Sequence, residues 1–123
     1  MAKILVIDDD QSILDFIQSC LEDEDEYEVV TALDGERGLV ECERSSFDLI
    51  LTDIFMPFRD GLDIIREVSK MYPKTKTIAM TSHYGVGHTD YLKAAEVIGA
   101  DLNLRKPFSC ADLMAAFEQL QIS

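Results

Sequence analysis

Basic residues are scarce in this chain: 11 lysines and arginines stand against 24 aspartates and glutamates, a formal net charge of -13 over 123 residues. They are scattered as well as few, and a surface this negative repels phosphate backbones. Direct binding of nucleic acid is therefore not expected, and the acidity reads as solubility rather than steering. No apolar stretch is long enough to cross a bilayer, and there is no low-complexity tract or internal repeat. From Met1 the chain runs through Lys3 into a short strand-like segment without the profile of a secretory signal, which points to a reducing cytoplasm and to no membrane partner. The three cysteines, Cys20, Cys42 and Cys110, are odd in number, widely spaced and set in helix-like apolar patterns. Neither a disulfide framework nor a zinc site is expected from them; they read as buried thiols.

What is present fits one domain spanning 1–123, with room for a real core but not for a separate catalytic or DNA-binding unit. Short apolar runs alternate with amphipathic stretches. Strands are expected at Lys3 to Ile7, Tyr27 to Ala32, Asp48 to Asp53, Lys76 to Thr81 and Leu102 to Arg105. Helices are expected from Asp10 to Glu22, from Asp34-Gly35 to Arg44, from Leu62 to Met71, from Thr89 to Ile98 and from Ser109 to Gln121. Ile13, Phe16, Ile17, Cys20 and Leu21 share one face of the first helix; Leu62, Ile65 and Val68 mark the stripe of the third. Asp10 can cap the first helix, Gly38 weakens the second, and Ser109 with Asp112 resembles a capping box. Met56 to Gly61 reads as a turn, and the five methionines read as core filler.

Five strand-helix units in strict alternation imply an α/β fold: a doubly wound parallel sheet in the flavodoxin-like order 2-1-3-4-5, with helices on both faces. In that order strands 1 and 3 are neighbours, and the chain winds in opposite senses on either side of them. Asp8 and Asp9, after Ile4-Leu5-Val6-Ile7, and Asp53, after Leu49-Ile50-Leu51-Thr52, then converge at one sheet edge. Thr81 and Lys106 reach the same rim from strands 4 and 5. As singletons these residues have plainer explanations: Asp8 and Asp9 as helix caps, Asp53 as a turn residue, Thr81 as a strand terminus, Lys106 as a solvated loop lysine. One cap suffices, however, and Asp10 and Ser12 are available for it.

Taken in order, Asp8-Asp9, Asp53-Ile54-Phe55-Met56-Pro57 with Gly61 beyond, Thr81-Ser82 and Lys106-Pro107-Phe108 resemble the receiver domain of two-component response regulators. The resemblance covers the whole chain. It implies a phosphorelay module that takes a phosphoryl group from a phosphohistidine on a histidine kinase or histidine phosphotransfer protein. Asp53 would be the acceptor nucleophile, Lys106 the fixed cation, and Thr81 the hydroxyl that bonds the phosphate afterwards. The metal would be Mg2+, with Mn2+ as a substitute, bound by Asp9, Asp53 and the backbone carbonyl of Phe55, with Asp8 acting largely through water. Such a domain catalyses its own phosphorylation and dephosphorylation and turns over no external substrate. Its output goes to a downstream protein or to an effector domain outside this sequence.

Departures from the pattern bear on output. Asn103 stands where receivers commonly carry a switching aromatic, so Tyr84 or Tyr91 would have to substitute. The interval from Thr81 to Lys106 is longer than usual and contains Gly85 and Gly87, which predicts a mobile loop. His83 and His88 read as exposed loop residues, with His83 and Phe55 also flanking the path of an attacking water. Two other readings follow: an interaction module that works without phosphorylation, and a metal-dependent phosphate hydrolase. The latter ranks last because such hydrolases carry a second acid where Phe55 stands.

Overall fold

The computed structural model describes residues 1–22, 26–57, 59–82 and 91–122. Along it run β1 (Ala2–Ile7), α1 (Gln11–Glu22), β2 (Tyr27–Ala32), α2 (Gly35–Arg44), β3 (Leu49–Asp53), α3 (Gly61–Met71), β4 (Lys76–Thr81), α4 (Tyr91–Ile98), β5 (Leu102–Arg105) and α5 (Cys110–Gln119). The five strands form one parallel sheet in the order β2-β1-β3-β4-β5, the doubly wound order that the alternation implies. The segment from His83 to Asp90, with Tyr84, Gly85, Gly87 and His88, lies outside the described residues, so the expectation of a mobile loop there is neither met nor refused. Among the described residues, no helix is long and apolar enough to cross a membrane.

β1 and β3 are buried on both faces, which is why they read as unbroken apolar runs. Alternate residues feed separate cores. Ile4, Val6, Leu49, Leu51, Ile78 and Met80 point to one side, where α1 covers them with Leu14, Ile17 and Leu21 and α5 with Leu113, Ala116 and Phe117. Leu5, Ile7 and Ile50 face the other side, where α2 brings Cys42 and α3 brings Ile64 and Val68. Ala79 belongs to a third cluster with Ile65 of α3 and Ala95 of α4. Gly38, costly in a helix interior, has its reason here: a Cβ would run into the Cδ1 of Ile7, so with any other residue that side chain would have to give way for α2 to lie this close to β1.

Several local expectations shift. The buried stripe of α1 is centred on Leu14, Ile17 and Leu21, with Ile13, Phe16 and Cys20 as its half-buried flanks. Asp60 caps α3 by accepting from the Asp63 amide, and Asp34 caps α2 through the Arg37 amide. The Ser109–Asp112 capping box is present with both reciprocal bonds. α5 stops at Gln119 because Gln121 adopts a left-handed φ of 59°, which no helix continues through. Of the methionines only Met80 is fully buried; Met1 and Met71 are exposed.

The cysteine reading is corrected. Cys20 of α1 and Cys110 at the start of α5 are joined in a disulfide, their Cα atoms 5.4 Å apart, and only Cys42 is a buried thiol. Ninety residues separate the pair in sequence, so its proximity comes from helix packing on one face of the sheet rather than from local spacing. Phe16 and Phe108 meet edge-on at 5.9 Å in the same seam.

Candidate functional site

Register places the acids. Ile7 of β1 pairs with Thr52 of β3, so Asp8 and Asp53 follow at the same level on adjacent strands. The Asp8 amide donates to the Ala32 carbonyl at 3.1 Å, which continues the ladder one residue past β1 and leaves the side chain directed over the sheet edge. Capping of α1 falls instead to Asp10, whose Oδ1 accepts from the Ser12 amide at 2.9 Å and the Ser12 hydroxyl at 2.6 Å. These bonds hold the Asp10 carboxyl below the usual range. Asp8 is thereby excess to the helix, and it is wholly buried.

Lys106 is the hub. Its amide donates to the Thr81 carbonyl at 3.0 Å, which ties the end of β5 to the end of β4. Its Nζ lies 2.6 Å from Asp8 Oδ2 and 3.1 Å from Asp53 Oδ1. The structure thus brings Asp8, Asp9, Asp53 and Lys106 together. Thr81, fully buried, ends β4 on the same edge, one residue beyond the Met80 that pairs with Asp53. Phe55 stands just outside, its ring half-exposed and edge-on to Tyr91, the first residue of α4, with centroids 4.6 Å apart. At the aromatic's usual place, Asn103 donates from Nδ2 to Glu96 Oε1 at 2.8 Å, a polar tie between β5 and α4.

Gly61, a turn residue by sequence and part of the Asp53 motif by resemblance, sits against the site itself. A Cβ there would collide with the Asp53 carbonyl, and the Gly61 amide donates to the Ile54 carbonyl at 2.8 Å. The Thr52 hydroxyl also donates to the Asp53 carbonyl, at 3.0 Å. Neither contact has a motif of its own; the interval from Asp53 to Gly61 is the one sequence signal. Arg59 of the same turn forks to Asp63, Glu36 and Glu67, which clips α2 to α3.

Electrostatics sets the chemistry. Burial pushes the Asp53 carboxyl up to about 6, and the charge on Asp8 adds to the rise while Lys106 opposes it. Burial also raises Asp8, against the bonds it accepts from Lys106 and the Asp10 amide. For Lys106 burial pulls downward, but its bond to Asp8 and the two negative charges outweigh it, so the ammonium is held more firmly than usual. One carboxylate oxygen each from Asp8, Asp9 and Asp53 lies within 4.8 Å of the others. Three carboxylates against one ammonium leave an excess of negative charge on oxygen donors alone, and a hard divalent cation fits that donor set.

The comparisons agree with this geometry. Residues 4–118 match the response regulator receiver domain family. The alkaline phosphatase synthesis transcriptional regulatory protein PhoP of Bacillus subtilis (strain 168) is 35% identical over 116 residues, which are 92% of this chain and 45% of that protein. The response regulator ArlR of Staphylococcus saprophyticus is likewise 35% identical, over 94% of this chain and 50% of its own length. This chain therefore spans about half the length of the curated relatives it matches. Among solved structures, a response regulator receiver domain protein from Clostridium thermocellum is 40% identical with a TM-score of 0.85, covering 97% of this chain and 93% of that one. The chemotaxis protein CheY4 of Vibrio cholerae is 30% identical with a TM-score of 0.86, over 97% and 98%. Sequence, sheet order and the acids gathered about one lysine converge, and the chain belongs to the response regulator receiver domain family.

Proposed function

We propose that residues 1–123 form a receiver unit that accepts a phosphoryl group on Asp53 from the phosphohistidine of a histidine kinase or histidine phosphotransfer protein in the cytoplasm. The observation that carries this reading is Lys106 Nζ held between Asp8 and Asp53 at the carboxyl edge of the sheet. A carboxylate oxygen of Asp53 attacks phosphorus; the new P–O bond forms as the P–N bond to the donor imidazole breaks, and that imidazole leaves with the electron pair. Lys106, 3.1 Å from Asp53 Oδ1, supplies a fixed positive charge where phosphoryl oxygens arrive. Asp9, Asp53 and the Phe55 carbonyl, supported by Asp8, would hold Mg2+ or Mn2+, which supplies charge neutralisation for the carboxylates and the incoming phosphoryl group. Thr81 offers its hydroxyl to a phosphate oxygen once transfer is complete. The strand edge between Thr81 and Asn103 then adjusts, and the altered surface is read by a downstream protein or by an effector domain of a longer chain.

This is self-modification of Asp53 rather than turnover of an external substrate. The polar Asn103–Glu96 tie favours one competing reading, an interaction module that signals without phosphorylation. Acetyl phosphate with magnesium decides between them. One phosphate mass on Asp53, lost in Asp53→Asn, is the expected result; an unmodified wild-type protein would overturn the acceptor reading in favour of the interaction module.

A further inference from the structure

Two of the three cysteines form a device that the acid cluster does not use. Cys110 is exposed and occupies the first position of α5, directly after the Ser109 cap; Cys20 is half-buried on the facing flank of α1. Their Cα separation of 5.4 Å lies within the range that a disulfide spans without backbone movement. Cys42 contrasts with both. It is buried between α2 and the sheet, and burial pushes its thiol up to about 11, so it is an unreactive bystander. A bridge that suits the fold, ends at an exposed residue and belongs to a chain without a disulfide framework is of the conditional kind that reducing compartments use.

We propose that Cys20 and Cys110 form a reversible thiol–disulfide exchange site, taking low-molecular-weight thiols and their disulfides, whose oxidised state straps α1 to the start of α5. In the oxidising direction Cys110 is the attacking residue: it is the more exposed of the two, and the first turn of a helix favours a thiolate. Its thiolate attacks the disulfide of a small thiol such as glutathione, one sulfur of which leaves as thiolate and takes a proton. Cys20, after losing its own proton, attacks the resulting mixed disulfide and releases the second glutathione. The balance is one small disulfide consumed, two small thiols released and one protein disulfide formed; reduction runs the same steps backward.

Three residues separate Cys110 from Lys106, and Phe108 among them rests on Phe16 of α1. The strap therefore restrains the segment that carries the site lysine. Oxidised, α1 and residues 106–113 move together; reduced, they lose that covalent tie and keep non-covalent ones such as the Phe16–Phe108 contact and the apolar seam beneath.

The test uses the full chain equilibrated in glutathione buffers of graded ratio, with acid quenching, alkylation of free thiols and peptide mass mapping. Cys20 and Cys110 should become free together as the ratio grows more reducing, with Cys42 unpaired throughout. Amide exchange across residues 106–113 should quicken about tenfold on reduction, and Cys110→Ser should show the quick rate in every buffer. Cys20→Ser should do the same, a second variant that leaves the cap of α5 untouched. A pair fixed in one state at all ratios, a bridge involving Cys42, or equal exchange rates in the two states would each overturn the proposal. None of these readouts involves phosphate, so failure here leaves the acceptor reading standing.

Discussion

The same residue type does opposite work at the two ends of this sheet. At the amino edge, Asp48 Oδ2 accepts from the Lys3 amide at 2.7 Å and Asp101 Oδ2 from the Thr77 amide at 2.8 Å, so each acid finishes a strand's hydrogen bonding. At the carboxyl edge, the Asp8 and Asp53 carboxylates face each other across Lys106, and Asp53 is pushed to about 6. One set is satisfied by the fold, and the other leaves three carboxylates facing one ammonium. Chemistry therefore lies in convergence and incomplete neutralisation, not in acidity, of which this chain has plenty everywhere.

The comparison can be broken most severely by removing the lysine. Lys106→Met leaves two buried carboxylates without their cation and should lower unfolding free energy by roughly 3 kcal/mol at neutral pH, shrinking towards pH 5 as a proton replaces the charge. Urea titrations at the two pH values check this; an equal loss at both would deny the electrostatic account. Gly61→Ala should cost about 2 to 3 kcal/mol, because the new methyl meets the Asp53 carbonyl. It should also slow acetyl phosphate labelling, whereas the same loss of stability with normal labelling would uncouple α3 from the site.

Asp53→Asn sharpens the contrast in the other direction. Its folded carboxyl titrates near 6 against 3.8 unfolded, so between those values the folded chain keeps a proton that the unfolded chain has lost. Stability is therefore present below the unfolded value and is lost as pH rises through that window. Removing the charge should stabilise the magnesium-free protein by about 3 kcal/mol at pH 7.5 and hardly at all at pH 4. Thermal melts in a chelating buffer measure it, and excess magnesium should erase the advantage; a destabilised variant at pH 7.5 would contradict the burial argument. The smallest effect belongs to the far edge. Asp48→Ala should cost at most about 1 kcal/mol and leave labelling rates unchanged, and a labelling defect there would dissolve the distinction between the two edges.

These edges also differ in how readable they are. Asp8 and Asp53 each follow or end an apolar run of strand length, and alternation implies a parallel sheet whose expected order makes β1 and β3 neighbours, so the carboxyl edge is legible from one sequence. Side-chain partners chosen by helix packing are not. The stripe of α1 could be drawn through Ile13 or Leu14, and only contact with the sheet puts Leu14 at its centre. The Cys20–Cys110 bridge, the Arg59–Glu36 arm of the fork and the Asn103–Glu96 tie join residues of different elements, which no local pattern pairs. Gly61 was visible as punctuation, but the carbonyl that requires it to be glycine is visible only in three dimensions.

That contact has a mechanical consequence. With no more than a hydrogen separating Gly61 from the Asp53 backbone, the first turn of α3 and the tip of β3 are geared as one rigid block. The other flank, along β4, β5 and α4, is joined by side chains as well, among them the Phe55–Tyr91 ring pair and the Asn103–Glu96 amide–carboxylate tie, which can rearrange without moving a strand.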